Sequence, residues 1–357
     1  MSPVALGRAE LVALVDEARR APSVHNIQPA RWSIDGARIA LRADPNRALP
    51  IADPTGHDVR VSLGASCEGM AIALARGGYV AGEVEVAAPG IVAAESSAAA
   101  SAPPSMPTLA TTSSASSPIA WISLDRGARP DRLAASVLRR AAYRGNFART
   151  DPATIDRLAR ALEPAEHVVV RDRARIRELA RLADRASGEF LLDPGYWRET
   201  WQWLRLSRSD PRWDRDGLNA ESLALSGVEL ALGRVLMAPP AFEAMRKLGL
   251  AGPLISERSK IESAAALVLF TAPGNEDPFD TGRSFYRAWL EVTASGLALC
   301  PISALADSTP ANDEIRRLFA IAAGRRLVNV FRVGAAPAGF PRRLTPRLPA
   351  EELVTAS

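Results

Sequence analysis

The chain has few of the residues from which proteins build thiol, metal and histidine chemistry. Its 357 residues include two cysteines, Cys67 and Cys300, and three histidines, His25, His57 and His167. Metal sites and Ser-His-Asp triads need such side chains in close sets, and a disulfide-stapled domain needs a richer cysteine framework. We therefore expect no metal site, no histidine-based catalysis and the reducing environment of the cytoplasm.

Long apolar runs and common nucleotide motifs are also missing. No apolar stretch reaches the roughly 20 residues of a membrane-spanning helix, and the N-terminus lacks the basic start and apolar stretch of a signal peptide. There is no Gly-x-Gly-x-x-Gly fingerprint, Walker loop or His-Glu-x-x-His motif. The 44 Lys and Arg residues stand against 40 Asp and Glu and interleave with them in runs such as 171–185. This pattern is typical of a solvated surface and predicts neither a membrane nor a nucleic-acid partner.

Bulky side chains are scarce in residues 87–118, which are rich in Ala, Ser, Thr and Pro. Such a segment buries too little apolar surface to offset the entropy of ordering it. We predict a disordered insertion at 87–118 that interrupts an N-terminal lobe, formed by 1–86 and 119–130. Residues 131–357 form a second, C-terminal lobe, because a chain of this length suits two domains.

Hydrophobic periodicity predicts both helices and strands in each lobe. The predicted helices are one that ends before Pro22 and others at 58–76, 131–140, 283–295 and 312–319. The predicted strands are a hairpin of 32–34 with 39–41 around Asp35-Gly36, and further strands at 119–124, 267–271 and 327–333. Residues 64–79 overlay on 282–297 without gaps, each a helix ending in glycine, which favours two related α+β halves.

The segment from Ala21 to Pro29 places uncharged polar side chains between two prolines. Pro22 ends the preceding helix because it disfavours the helical state of the residue before it. Ser23, Asn26 and Gln28 then offer donors and acceptors suited to a polar, near-neutral ring. An ordinary Asx or Ser turn is the alternative interpretation.

Arginines cluster at Arg139, Arg140 and Arg144, and again at Arg342 and Arg343. Guanidinium groups grip phosphate oxygens bidentately, so a close set suits a nucleotide phosphate. A solvated helix end, whose cations complement the C-terminal dipole, explains the first cluster equally simply.

Four of the seven tryptophans, Trp197, Trp201, Trp203 and Trp213, fall in one short stretch of the second lobe. Aromatic residues in such a stretch anchor a helix on the core in most proteins. A cover over a ligand is the alternative.

These parts, in this order, resemble the FMN-dependent nitroreductase superfamily. The resemblance rests on the Pro-Ser-x-x-Asn-x-Gln-Pro loop, the Arg-x-x-x-Arg-x-x-Phe segment, residues 299–304, and the strand 324–333 with its Pro-Arg-Arg tail. In ordinary members the arginine segment precedes the loop and a homodimer builds two FMN sites. Here the loop comes first and the arginines lie in the second lobe, as in the fused Acg-type branch. The resemblance implies an α+β, nitroreductase-like fold of two fused lobes that form a pseudo-dimer with one FMN between them.

The resemblance also implies a set of cofactor-binding residues from both lobes. They are Arg140, Arg144, Arg342 and Arg343 at the phosphate and ribityl chain, Ser23, Asn26 and Gln28 from the opposite lobe, the backbone of Pro301, Ile302, Ser303 and Ala304 along the isoalloxazine edge, and Lys260 near the pyrimidine carbonyls. Trp197, Trp201 and Trp203 would belong to a lid at about 190–225 that shapes the substrate pocket. One departure stands out, since residues 141–143 lack the polar side chains usual beside the ribityl chain.

The function implied by the resemblance is that of an FMN-dependent oxidoreductase. Hydride would pass from NAD(P)H through FMN to a nitro, quinone or specialised small-molecule acceptor, with the chemistry carried by FMN and no catalytic side chain. Two alternatives remain: an FMN-dependent dehydrogenase or oxidase of a biosynthetic pathway, and a flavin-sequestering protein with a closed lid. We expect a monomeric pseudo-dimer, and further homodimerisation is left open.

Overall fold

The computed structural model of the chain describes residues 6–87, 117–127, 129–340 and 345–356. Most of the predicted disordered insertion, and both Arg342 and Arg343, lie outside the described residues. The predictions for these positions therefore stay predictions.

The described residues form helices and strands that alternate along the chain. The helices are α1 Arg8–Ala18, α2 His57–Arg76, α3 Ala134–Val137, α4 Pro152–Leu162, α5 Arg173–Leu191, α6 Pro194–Gln202, α7 Gly227–Leu236, α8 Pro239–Lys247, α9 Gly252–Ile255, α10 Arg258–Glu262, α11 Pro278–Ala294, α12 Ala304–Asp307, α13 Thr309–Leu318 and α14 Ala350–Leu353. The strands are β1 Ala30–Asp35, β2 Arg38–Ala43, β3 Tyr79–Val86, β4 Ala120–Arg126, β5 Val168–Val170, β6 Leu204–Arg205, β7 Leu218–Asn219, β8 Ala266–Pro273, β9 Ala298–Pro301 and β10 Arg325–Gly334.

Most predicted elements are confirmed with small shifts of their ends. The hairpin is β1 with β2, whose register pairs Trp32 with Leu41, and the helix predicted at 58–76 is α2. The helix predicted at 131–140 is reduced to α3, Ala134–Val137. It stops early because the chain turns into an extended course that pairs Ala142 with Leu299.

Two four-stranded sheets organise the described part of the chain, in the orders β1-β2-β4-β3 and β5-β8-β10-β9. Neighbouring strands in both sheets are antiparallel. In each, a long helix connects the second strand of the order to the fourth: α2 in the first sheet and α11 in the second. The two sheets therefore have equivalent connections, which is the structural counterpart of the sequence repeat.

The C-terminal segment packs on the first sheet, although the sequence prediction assigned 131–357 to the second lobe. Val354 forms a parallel bridge with Trp32 of β1, and the buried Leu348, Leu353 and Val354 join the core between α1, α2 and the first sheet. The sequence pattern alone does not show that the C-terminal segment returns to the first sheet, because a short apolar segment fits either core equally well.

Helices α2 and α11 meet through their backbones at two glycines. A Cβ atom on Gly64 would lie 1.8 Å from the carbonyl oxygen of Phe279, and one on Gly282 would lie 2.0 Å from the carbonyl oxygen of Val61. Each glycine therefore meets the carbonyl three residues before the other glycine. Gly64 and Gly282 are also the first residues of the two repeats found in the sequence, so the repeat marks a reciprocal helix contact.

We expect Gly64→Ala or Gly282→Ala to lower the free energy of unfolding by about 3 kcal/mol or more, because a methyl group overpacks rigid backbone. Urea denaturation followed by circular dichroism measures the change. Gly188→Ala in α5 is the matched control, because its Cβ would meet nothing closer than Leu192 at 3.8 Å and alanine favours a helix by up to about 1 kcal/mol. Similar losses in all three variants would contradict the close contact.

Candidate functional site

A cavity of about 250 Å³ lies between α2, α11, the loop after α1, the end of β9 and the middle of β10. Its apolar wall is formed by Val61, Ala65, Leu218, Phe285, Trp289 and Val328. Its polar lining includes Ser23, His25, His57, Asp58, Ser62, Arg144, Ser303, Asp307 and Asn329. Both halves of the chain thus contribute to the walls. Aromatic side chains and ionisable groups line the same small cavity.

Four residues predicted from the sequence line this cavity: Ser23, Arg144, Pro301 and Ser303. The Ser23 hydroxyl accepts the Gln28 N–H at 3.0 Å, which fixes the loop. The Arg144 Nη1–H group donates to the carbonyl oxygen of Ser222 at 3.2 Å. No described carboxylate forms an ion pair with Arg144, so its positive charge is available to an anionic ligand.

Asn26 and Gln28 face away from the cavity and hold the loop to other parts of the chain. The Asn26 side-chain amide donates to the carbonyl oxygens of Gly217 and Pro346, both at 3.0 Å. Gln28 donates to the Arg215 carbonyl at 2.8 Å and accepts the Leu348 N–H at 2.8 Å. Both buried amides are thus hydrogen-bonded within the protein itself, and their predicted contacts with a cofactor stay predictions.

The loop that carries these residues has a strained backbone. His25, Asn26 and Gln28 adopt φ values of 44°, 56° and 54°, in the left-handed region that side chains other than glycine rarely enter. Such conformations persist where surrounding contacts enforce them. The hydrogen bonds of Asn26 and Gln28 are those contacts.

Arg347, which the sequence interpretation missed, ties the loop to the end of α1. Its Nη1 donates to Asn26 Oδ1 at 2.6 Å, and its other nitrogens donate to the carbonyls of Arg19, Arg20 and Ala21 at 2.6 to 3.2 Å. These carbonyls belong to the three residues that follow α1, which ends at Ala18. In a chain with so many arginines, nothing in the local sequence singles Arg347 out.

Arg140 also serves the end of α1 and does not line the cavity. Its Nη2 donates to the Arg20 carbonyl at 2.8 Å, and its guanidinium carbon lies 4.6 Å from the centroid of the Trp289 ring. The side chain is buried, and this burial lowers its pKa. Arg140 therefore supports Trp289, a wall of the cavity, and its predicted contact with a phosphate stays a prediction.

Three further predicted residues lie outside the cavity. Lys260 on α10 pairs with Glu257 at 3.8 Å. The Ile302 N–H donates to the Val330 carbonyl at 2.7 Å, and Ala304 begins α12. Pro301 has no N–H, so the predicted hydrogen bond from this edge is left to Ser303 or Ala304.

Two of the three predicted lid tryptophans, Trp197 and Trp201, belong to a small separate core, whereas the Trp203 ring lies 5.8 Å from the guanidinium carbon of Arg205. Trp197 stacks on Phe242 with ring centroids 4.2 Å apart and donates its indole N–H to the Met237 carbonyl at 3.1 Å. Trp201 packs on the same cluster. Among the residues that line the cavity, the segment 190–225 supplies Leu218, so the tryptophans act here as anchors.

The sequence interpretation also missed two carboxylates, Asp58 in the first turn of α2 and Asp307 at the end of α12. Burial, with repulsion from Asp307 and Asp53, raises the pKa of Asp58 to about 7. Burial raises the pKa of Asp307 to about 6, against a hydrogen bond from Ser303. Both carboxyl groups therefore titrate near neutral pH.

Two other polar groups in the cavity lack a partner. Asn329 is 9% exposed, and its Oδ1 accepts no hydrogen bond within the described residues. His25 Nδ1 is likewise buried without a partner in this part of the chain. Burial and the nearby Arg144 charge lower the pKa of His25 to about 4, so the imidazole is neutral at pH 7.

Curated relatives of the chain are provisionally named NAD(P)H nitroreductases. The chain is 37% identical over 67 residues to a protein of Mycobacterium tuberculosis provisionally named NAD(P)H nitroreductase acg. This match covers 19% of this chain and 20% of that protein. A second provisionally named NAD(P)H nitroreductase of the same organism is 38% identical over 64 residues, 18% of this chain and 19% of that protein. Over these segments the chain is similar to two proteins named as NAD(P)H nitroreductases. The match spans about a fifth of the length of these relatives, and no protein-family model matches.

Solved nitroreductases resemble the chain more distantly. NfnB, an FMN- and NADPH-dependent nitroreductase from Sphigopyxis sp. strain HMH, has a TM-score of 0.37 and 16% identity over 63% of this chain and 98% of its own. A nitroreductase with bound FMN from Bacteroides fragilis has a TM-score of 0.34 and 13% identity over 58% of this chain and 90% of its own. These scores are too low for the likeness to carry an argument. Every described helix is too short or too polar to cross a lipid bilayer.

We expect Asp58→Asn to stabilise the protein increasingly as pH rises. The folded chain keeps its proton on Asp58 up to about pH 7, whereas the unfolded chain releases it near the ordinary value of 3.8. Stability is therefore lost as pH rises through this window, and the amide avoids that loss. Urea denaturation at pH 5 and pH 8 should show a gain over wild type at pH 8 of at least about 1.4 kcal/mol. Asp313→Asn, at an exposed position of α13, is the control, and a gain independent of pH would refute the prediction.

We also expect Asn26→Ala to lower the free energy of unfolding by about 2–4 kcal/mol, because buried hydrogen-bonding partners are left unpaired. Alanine is also strained at a φ of 56°. Thermal and urea unfolding measure the effect, with Asn46→Ala at an exposed position as the control. If the two variants are equally stable, the loop does not depend on Asn26.

Proposed function

We propose that the protein is an FMN-dependent oxidoreductase of the nitroreductase type, with the cofactor in the cavity between α2 and α11. The observation that carries the proposal is the chemistry of that cavity: aromatic walls from Phe285 and Trp289, an arginine free of carboxylate partners, and a buried acceptor on Asn329 without a donor. The names of the relatives point to the same class of enzyme.

The residues present fit a flavin in kind. Its flat ring suits the space between aromatic and aliphatic walls, and its anionic phosphate suits the unpaired guanidinium of Arg144. The Ser23 hydroxyl would supply a polar contact to the ring. Of the two described arginines that the resemblance places at the phosphate, Arg144 lines the cavity and Arg140 does not. Arg144 would therefore take the main role in holding the phosphate.

When bound, FMN supplies hydride acceptance and donation. The protein's own residues position and shield it. Phe285 and Trp289 exclude water from one wall, and Arg140 holds Trp289 in place from behind. The neutral His25 adds polarity without charge. The N–H of Ser303 or Ala304 would donate to the ring edge, where negative charge develops on reduction.

NAD(P)H is the proposed donor, and a nitro compound, quinone or specialised small molecule the proposed acceptor. The protein would act in the cytoplasm as a single-chain pseudo-dimer. An oxidase role or flavin storage would leave the bound flavin oxidised when nicotinamide is added. Visible absorption of the purified protein before and after anaerobic NADPH separates these functions, because a reductase bleaches the flavin band within seconds to minutes. A protein that stays colourless even with added FMN would refute the proposal.

We expect Arg144→Ala to weaken FMN binding by about 10- to 100-fold, the value of one charge-assisted contact. Equilibrium titration of flavin fluorescence measures the Kd. Arg149→Ala, at an exposed position five residues on, should leave the Kd within about twofold. Riboflavin, which lacks the phosphate, should bind wild type and Arg144→Ala alike; an equal loss for riboflavin would show that Arg144 shapes the cavity rather than holding the phosphate.

A further inference from the structure

Two carboxylates from opposite halves of the chain face one cavity. Asp58 belongs to the helix of the first sheet, and Asp307 to the short helix that follows β9 of the second. The neighbouring charges that act on Asp58 are those of Asp307 and Asp53, and Asp53 also acts on Asp307. These neighbours are all negative, so the two carboxylates lack compensation from the protein at this end of the cavity.

The positive charge in the cavity lining belongs to Arg144. It acts on His25, in the loop after α1, and is not among the charges that act on Asp58 or Asp307. Two other titratable groups are close to the carboxylates: Tyr196 of α6, on which both act, and His57, which precedes Asp58 in α2 and lines the cavity. The charge of Arg326 acts on His57. Burial and the charges of Asp307, Asp58 and Glu199 raise the pKa of Tyr196 to about 12, and burial lowers the pKa of His57. Both are therefore neutral at pH 7.

A second and independent observation points to a ligand that donates hydrogen bonds. Asn329 lies at an irregularity in β10, where the register with β8 shifts between Leu327 and Asn329. Its side chain is 9% exposed, lines the same cavity and keeps Oδ1 unpartnered. A buried acceptor without a donor costs stability, and a ligand N–H would relieve this cost.

We propose that the acidic end of the cavity, formed by Asp58 and Asp307, binds the protonated amine of an aromatic or quinonoid substrate. An ammonium group would stabilise both carboxylates in their charged form and add N–H donors to the hydrogen bond that Asp307 receives from Ser303. The reducible ring of the substrate would then extend toward the flavin. The inference rests on the proposed function for its choice of substrate, a reducible aromatic compound.

An organic cation suits this site better than a metal ion. The described residues contain no group of three or more His, Cys, Asp or Glu side chains placed to hold a metal. Two carboxylates and an amide oxygen among apolar walls match a single ammonium group with its three donors.

A series of three nitroaromatic compounds of similar size tests the proposal. They are 4-nitrobenzylamine, 4-nitrobenzyl alcohol and 4-nitrobenzoate, which carry positive, neutral and negative substituents on the same reducible ring. Isothermal titration calorimetry measures binding with or without FMN, and turnover with NADPH is measured separately. At pH 8 the amine should bind at least tenfold more tightly than the alcohol, and the benzoate most weakly. At pH 5 the preference for the amine should fall below threefold, because both carboxylates are then protonated.

Variants and proton release add independent readouts. Asp58→Asn and Asp307→Asn should each reduce the preference for the amine at pH 8 at least fivefold, while Asp313→Asn on exposed α13 keeps it. Calorimetry at pH 6.5 in two buffers of different ionisation enthalpy should show protons released when the amine binds, because a cation lowers the pKa of both carboxyl groups.

The outcomes separate this inference from the proposed function. Equal binding of amine and alcohol by the wild type at pH 8, or binding of the amine without proton release, would overturn the inference even if FMN bleaches with NADPH. A preference for the amine that depends on Asp58 and Asp307 would support it even if the protein bound no FMN, in which case only the oxidoreductase proposal would fail.

Discussion

The backbone contact between α2 and α11 is the constraint on which the site depends. Gly64 and Gly282 let the two helices approach until each backbone touches a carbonyl of the other. Ion pairs flank the contact, with Arg283 and Arg287 of α11 on Glu68 of α2 at 3.0 and 2.7 Å. Because the helices cross this closely, residues one or two turns away from each glycine line the same cavity. Helix packing therefore sets the width of the site before any ligand enters.

The C-terminal segment that carries Arg347 and Val354 supplies the second constraint. Arg347 joins the Arg19 carbonyl, just after α1, to the Asn26 side chain. Val354 forms a bridge with Trp32 at the edge of the first sheet. Positive φ values at neighbouring residues cost on the order of 1–3 kcal/mol each, and these contacts offset that cost. The loop that forms one wall of the cavity is thus held by a segment more than 300 positions later in the chain.

The local elements were predictable and the roles of side chains were only partly so. The hairpin, α2 and the repeat follow from periodicity and glycine positions, which are local signals. The sequence singles out Asn26 and Arg140 as polar side chains with a possible role in a site. Their hydrogen-bond partners are Gly217, Pro346 and Arg20, which only the fold brings near. Asp58 is an unremarkable acid in the first turn of a helix, where acids are common. Its proximity to Asp307 is a property of the tertiary structure alone.

The charges around the cavity argue for two bound groups of opposite charge, an anion at Arg144 and a cation at Asp58 and Asp307. A helix N-terminus stabilises a negative charge in its first turn, yet burial and repulsion from two other carboxylates still raise the pKa of Asp58 to about 7. The protein thus holds like charges together at one end of a small cavity and a guanidinium without an acidic partner at the other. Each end is costly without its counter-charge. An anion beside Arg144 and a cation beside Asp58 would relieve both costs at once, which a single neutral ligand cannot do.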